Sequence, residues 1–213
     1  RKHLLEYDEV MDFQRKYIYA MRGAVLEDRD ISERLEEMFA NIVGDAVDEY
    51  APEDVLPDEW DLDGLTISLR RIFGMELDTS GESDETPKDI FDSLVDQVKA
   101  EYQRRHGCIA DELRDLYKDA GVDLAKTDFS RHARKVVHDM ELTCLLNAVD
   151  EKWIDHLYAM DYLRESVRLR AFGQRDPLLE YKQEGFELFQ DLVRSIEETV
   201  VQNLFRFTDL EVR

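Results

Sequence analysis

From residue 142 to residue 167, Leu142, Leu146, Val149, Trp153, His156, Met160, Leu163 and Val167 recur in alternating steps of four and three. That period fits a helix of 3.6 residues per turn and no strand, so these residues form one continuous stripe along a long helix. The helix is expected to end near Arg170, because Gly173 tolerates unusual backbone angles and Asp176-Pro177 reads as a cap followed by a first-position proline. A second helix then carries Tyr181, Leu188, Leu192, Ile196, Val200 and Leu204 on one side, with Phe186, Phe189, Val193 and Phe207 widening the apolar face. The short connection from Arg170 to Arg175 forces the two helices to run antiparallel, which predicts a helical hairpin with an exposed tip.

A second stripe lies at the other end of the chain. Leu4, Met11, Ile18 and Val25 repeat every seven residues, with Tyr7 and Met21 in the neighbouring row, so residues 1–28 read as one long helix that needs packing partners. Those partners are expected to be the two hairpin helices. The opening RKHLLEYDEV reads as the interior of a helix, not as a signal peptide or a natural start. Composition agrees: 43% hydrophobic and 37% charged residues suit amphipathic helices, and only 9 Gly and 4 Pro leave few places for turns. The fold class is all-α.

The stretch from 29 to 118 differs in character, since it carries most of the excess negative charge of a chain whose formal net charge is -22. Turn signals at Ala51-Pro52, Leu56-Pro57, Asp63-Gly64 and from Asp78 to Pro87 divide it into what should be short helices with their own small core. Thr86 is placed to N-cap a helix with Pro87 at its first position. Near Gly121 the pattern breaks again, and Asp128 or Ser130 is positioned to cap the helix that follows.

Motifs for chemistry are missing. The charge opposes binding to nucleic-acid phosphates, where affinity comes mainly from Lys and Arg. No run of about 18 apolar residues is present to span a bilayer. Neither G-x-x-x-x-G-K-S/T nor G-x-G-x-x-G occurs, so this chain has no backbone cradle for ATP. Cys108 and Cys144 lack metal-ligand spacing and read as buried thiols. The histidines at 3, 106, 132, 138 and 156 supply no pair one turn apart with a third ligand, so no metal site is expected. His156 reads as a packed imidazole bonded to a backbone or carboxylate group. Asp155, Asp161, Glu165, Asp176 and Glu180 have no pocket that would separate their pKa values for acid/base work, so no catalytic residue is assigned.

The hairpin tip is the exception. Arg164, Arg168, Arg170 and Arg175 cluster around it with Glu165 and Asp176, making it locally basic in an acidic chain, and Phe172 sits at its apex. Phe172 either folds back onto the hairpin or contacts a partner.

The string Trp153-x-x-His156-Leu157-x-x-Met160-Asp161-Tyr162-Leu163-Arg164, followed by Leu169-Arg170, Gln174-x-Asp176-Pro177 and Glu180-Tyr181-Lys182-x-Glu184, resembles SecA, the bacterial preprotein translocase motor. The opening RKHLLEYDEVMDFQRKYIYAMR is similar to the central scaffold helix of that family. By this resemblance, residues 1–28 and roughly 131–213 correspond to the helical scaffold domain, 29–118 to the inserted helical wing domain, and 119–130 to a linker or insertion. The resemblance implies a parent ATPase, using ATP and Mg, that drives unfolded preproteins through the SecYEG channel from the cytoplasmic face of the inner (plasma) membrane. The scaffold would pass on the motion of motor domains in the same parent chain, and the hairpin would be the two-helix finger. Arg170, Phe172, Gln174 and Arg175 would then meet the channel or the preprotein, with Phe172 standing where the family commonly has tyrosine. The parent's ATP-binding domains, preprotein-binding domain and zinc-binding tail are not in this sequence, so no cofactor is expected on the chain itself.

The expectation is therefore a non-catalytic scaffold-plus-wing region that works through its surfaces. A free-standing helical adaptor or coiled-coil assembly protein is the alternative suggested by the seven-residue repeat alone. An enzyme comes third and would require an enclosed polar pocket near His156.

Overall fold

A computed structural model describes the backbone of residues 2–27, 31–79, 86–121, 128–170 and 176–211, and the side chains of these stretches apart from 2–5, 170 and 207–211. The described residues are helical with no strand: α1 (Lys2–Glu27), α2 (Ser32–Tyr50), a 3-10 turn (Pro57–Glu59), α3 (Leu62–Phe73), α4 (Pro87–Asp119), α5 (Phe129–Arg170) and α6 (Pro177–Glu211). The all-α expectation is met.

Local chemistry explains the helix ends. Thr86 accepts from the Asp89 amide at 3.2 Å while the Asp89 carboxylate accepts from the Thr86 amide at 2.9 Å, a reciprocal capping box with Pro87 in the first turn. Asp128 accepts from the Arg131 amide at 3.3 Å and opens α5, and Asp176 accepts from the Leu178 amide at 2.9 Å and opens α6. The Asp63-Gly64 turn expected from sequence is instead the first turn of α3: Asp61 is the cap and accepts from the Gly64 amide at 2.8 Å. Gly74, at φ 65°, ends that helix in the left-handed region open to glycine.

Two compact units divide the chain. The hairpin unit comprises Arg1–Arg29 and Leu142–Glu197, and the middle unit comprises Asp30–Glu141 and Glu198–Arg213. These boundaries differ from the 118 read from charge and the 131 implied by the resemblance, because compactness follows burial. The start of α5 buries Ala133, Val137 and Glu141, and the end of α6 buries Val201, Leu204 and Phe205, all within the middle unit.

The middle unit is built on α2, α3 and α4, with Phe39, Phe73, Tyr102 and Phe205 forming an aromatic cluster of mostly edge-on rings. Its core is thus completed by α6 and is not the closed core expected of 29–118 alone. Nor are its helices all short: α4 runs for 33 residues and ends at Asp119, next to the boundary read at 118. The last turns of α4 pair with the start of α5, where Tyr117 meets Phe129 at 6.0 Å between ring centroids and its hydroxyl lies 2.7 Å from His132 Nε2. Among the described residues of this unit, two charged side chains are buried. Arg105 donates to Glu101 at 2.7 Å and to the Phe205 carbonyl at 2.6 Å, and Glu141 accepts from the Tyr102 hydroxyl. Cys108, read as a buried thiol, is only half-buried, whereas Cys144 is buried.

In the hairpin unit, Tyr7, Ile18 and Val25 of α1 are buried, as the seven-residue rows require. Along α5 the stripe from Val149 to Val167 is buried, whereas Leu142 and Leu146 are half-buried beside the buried Cys144, Leu145 and Ala148. On α6, Tyr181, Phe189, Leu192 and Ile196 face inward, but Phe186 is exposed. An apolar face read too widely from sequence includes such flanking positions.

Candidate partner-binding hairpin

The sequence places the site at the hairpin tip. Helix α5 runs to Arg170 and α6 begins at Pro177, so the connection falls where it was expected. Phe172, Gln174 and Arg175 lie outside the described residues, as does the side chain of Arg170. What the structure supplies is the base that holds this tip.

That base is an apolar seam. Met160, Leu163 and Val167 of α5 and Tyr181 of α6 pack with Tyr7 of α1, and Met11, Leu178 and Leu188 close its sides. Tyr7 and Tyr181 stand 4.6 Å apart between ring centroids, and the Arg164 guanidinium lies 5.9 Å from the Tyr7 ring centre. Burial pushes the Tyr181 phenol up to about 12, so it remains protonated. Gly185 lets α6 approach α5 closely, since a Cβ there would stand 3.0 Å from Met160 Cε.

Farther from the tip, the seam carries polar groups. Gln14 donates through Nε2 to the Gly185 carbonyl at 2.9 Å, and its Oε1 lies 2.9 Å from His156 Nε2. The expected partner of His156 was a backbone or carboxylate group; the side-chain amide of α1 takes that place. Its ring stacks on Trp153 at 5.6 Å and meets Phe189 at 6.0 Å. Burial lowers the imidazole to about 4, which keeps it neutral.

Two grooves on this unit are open, one of about 520 Å³ between α5 and α6 and one of about 300 Å³ between α1 and α6. His156 lines neither of them. Among the described residues no group of three or more His, Cys, Asp or Glu could hold a metal ion, and no helix is long and apolar enough to cross a membrane. The arrangement can hold a hairpin rigidly and present its end.

The order of elements, a long helix packed on a two-helix hairpin with a helical insertion between them, is matched by one family over nearly the whole chain. The family model for the SecA Wing and Scaffold domain matches residues 1–208. The chain belongs to this SecA family. Among its relatives, protein translocase subunit SecA of Pelotomaculum thermopropionicum is 38% identical over 208 residues, covering 97% of this chain and 21% of that protein. The SecA of Carboxydothermus hydrogenoformans is 37% identical over 210 residues, covering 98% and 21%. That of Symbiobacterium thermophilum is 38% identical over 207 residues, covering 97% and 22%. The chain therefore spans about a fifth of the length of the curated relatives it matches. A free-standing adaptor is set aside by this likeness. Sequence reading missed Gln14 and Gly185 as parts of the SecA hairpin, although Gln14 stands midway between Tyr7 and Met21 in the same seven-residue row.

Proposed function

We propose that the chain is the scaffold and wing of a protein-translocating ATPase, passing motion from motor domains elsewhere in the parent to a two-helix finger. The observation that carries this reading is the family match over residues 1–208, on a chain whose long first helix packs on both hairpin helices. Physically, close-packed apolar stripes resist compression, so a helix seated on them transmits displacement that a loop would absorb. The finger tip, with Arg170, Phe172, Gln174 and Arg175, faces the SecYEG channel and the unfolded preprotein. An aromatic ring suits that place because it grips varied chains through area and polarizability, without demanding one hydrogen-bond pattern. ATP and Mg act in the parent's motor domains, and the parent works at the cytoplasmic face of the membrane as a peripheral protein.

The test is a photo-crosslinking residue at position 172 of the full-length parent, irradiated during transport into SecYEG vesicles. Adducts with the preprotein or the channel are expected. Phe172→Tyr should preserve transport, and Phe172→Gly should impair transport more than basal ATP hydrolysis. An absence of adducts together with wild-type transport by Phe172→Gly at limiting motor concentration would overturn the role given to the tip.

A further inference from the structure

Among the described residues, the hairpin unit fully buries only two polar side chains, Gln14 and His156, and they are bonded to each other. The Gly185 carbonyl can only accept, so Gln14 Nε2 must face it and Gln14 Oε1 must face the imidazole. His156 then has to donate from Nε2. A directed chain results, from α5 through the α1 side chain to the α6 backbone, with both bonds at 2.9 Å.

This chain does something the surrounding apolar contacts do not. Ile18 and Val25, seven residues apart in one row, make only non-directional apolar contacts, which a slid α1 could remake at modest cost. Hydrogen bonds lose most of their strength beyond about 3.5 Å, and a helix advances about 1.5 Å per residue, so a slide of one residue breaks both bonds at Gln14. It also strands a buried amide and a buried imidazole without partners. Gln14 therefore ties three helices at one relative height from inside the seam, while the exposed Arg22–Asp150 pair, 2.6 Å apart, joins only α1 and α5.

We propose that Gln14 is a positioning residue of the translocation cycle, whose amide fixes α1 in a single register against both finger helices so that axial displacement reaches the finger instead of being lost as sliding. The proposal rests on the reading of the chain as translocase scaffold and adds the residue that makes the scaffold stiff along its length. Gln14 touches neither nucleotide nor preprotein in this role and acts through the helices it joins.

The experiment uses the full-length parent with SecYEG vesicles and measures preprotein transported per ATP hydrolysed. Gln14→Met keeps the volume and removes both hydrogen bonds. It is expected to retain preprotein-stimulated ATP hydrolysis while the transport yield per ATP falls roughly five- to tenfold. Val25→Ala, a cavity variant on the same helix, is expected to lower stability with no change in that yield. Should Gln14→Met not fold, His156→Phe keeps an aromatic ring beside Trp153, removes the imidazole bond, and carries the same expectation. Spin labels at the exposed positions Lys16 and Asp191 should report one narrow distance in the wild type and a broadened one in the Gln14 or His156 variant. An unchanged yield per ATP in those variants, or an equal fall in Val25→Ala, would overturn the role of Gln14 and leave the scaffold reading intact. A wild-type parent that couples no ATP hydrolysis to transport would overturn both.

Discussion

Phe205 of α6 meets Phe39 of α2 edge-on, with ring centroids 5.8 Å apart, and meets Phe73 of α3 at 5.3 Å. The last helix thus supplies a central side chain to a core whose other aromatic members lie more than a hundred residues earlier in the chain. Arg105 reinforces the join by donating to the Phe205 carbonyl while its guanidinium lies 5.0 Å from the Phe205 ring centre.

Removing that ring should therefore unsettle the middle unit. Phe205→Ala is expected to cost about 3–5 kcal/mol, the range for deleting a large aromatic side chain from a core. Hydrogen exchange should show lost protection in α2 and α3, with the amides of α1 changed far less. A stability loss below about 1 kcal/mol by urea denaturation would contradict the central place given to Phe205.

These contacts also show where the sequence was readable. Helix type and the ends of α4, α5 and α6 followed from local chemistry: the Thr86, Asp128 and Asp176 caps act on neighbouring amides and need no tertiary information. The unit boundaries did not. Charge composition placed a break at 118, but Val137 and Phe205 are buried in the middle unit by contacts between residues far apart in sequence. The α6 stripe was read through Val200 to Leu204, whereas Val201 and Phe205 are buried beside them as adjacent pairs, the pattern of a helix enclosed on a wide face. Gln14 was passed over because a polar residue in an apolar row reads as a surface position until its partners, Gly185 and His156, are known.

Nucleotide chemistry is expected to be absent from the isolated chain. It lacks a glycine-rich phosphate loop, and Arg105, the buried cation among the described residues, is already occupied by Glu101 and the Phe205 carbonyl. Titration with MgATP in a calorimeter should give no saturable heat. Micromolar binding at a defined stoichiometry would show that the chain holds a nucleotide site of another kind.

Acidification should weaken the hairpin unit through His156. Burial lowers the folded-state pKa to about 4, below the ordinary imidazole value of 6.5, so folding favours the neutral ring. Its stabilising contribution is complete above pH 6.5 and is lost as pH falls toward 4, because the unfolded chain takes up the proton first. Between pH 7 and pH 5 the loss from this one group should be about 2 kcal/mol. Other shifted groups fall outside that window. Glu101, held at about 2 chiefly by its hydrogen bond to Arg104 and also by Arg105, loses its contribution only below about pH 4.5, and Tyr181 titrates near 12. Urea denaturation at pH 7 and pH 5, compared between wild type and His156→Phe, isolates the effect. The wild type is expected to lose about 2 kcal/mol more than the variant, and equal losses in the two proteins would show that His156 is not held neutral by the fold.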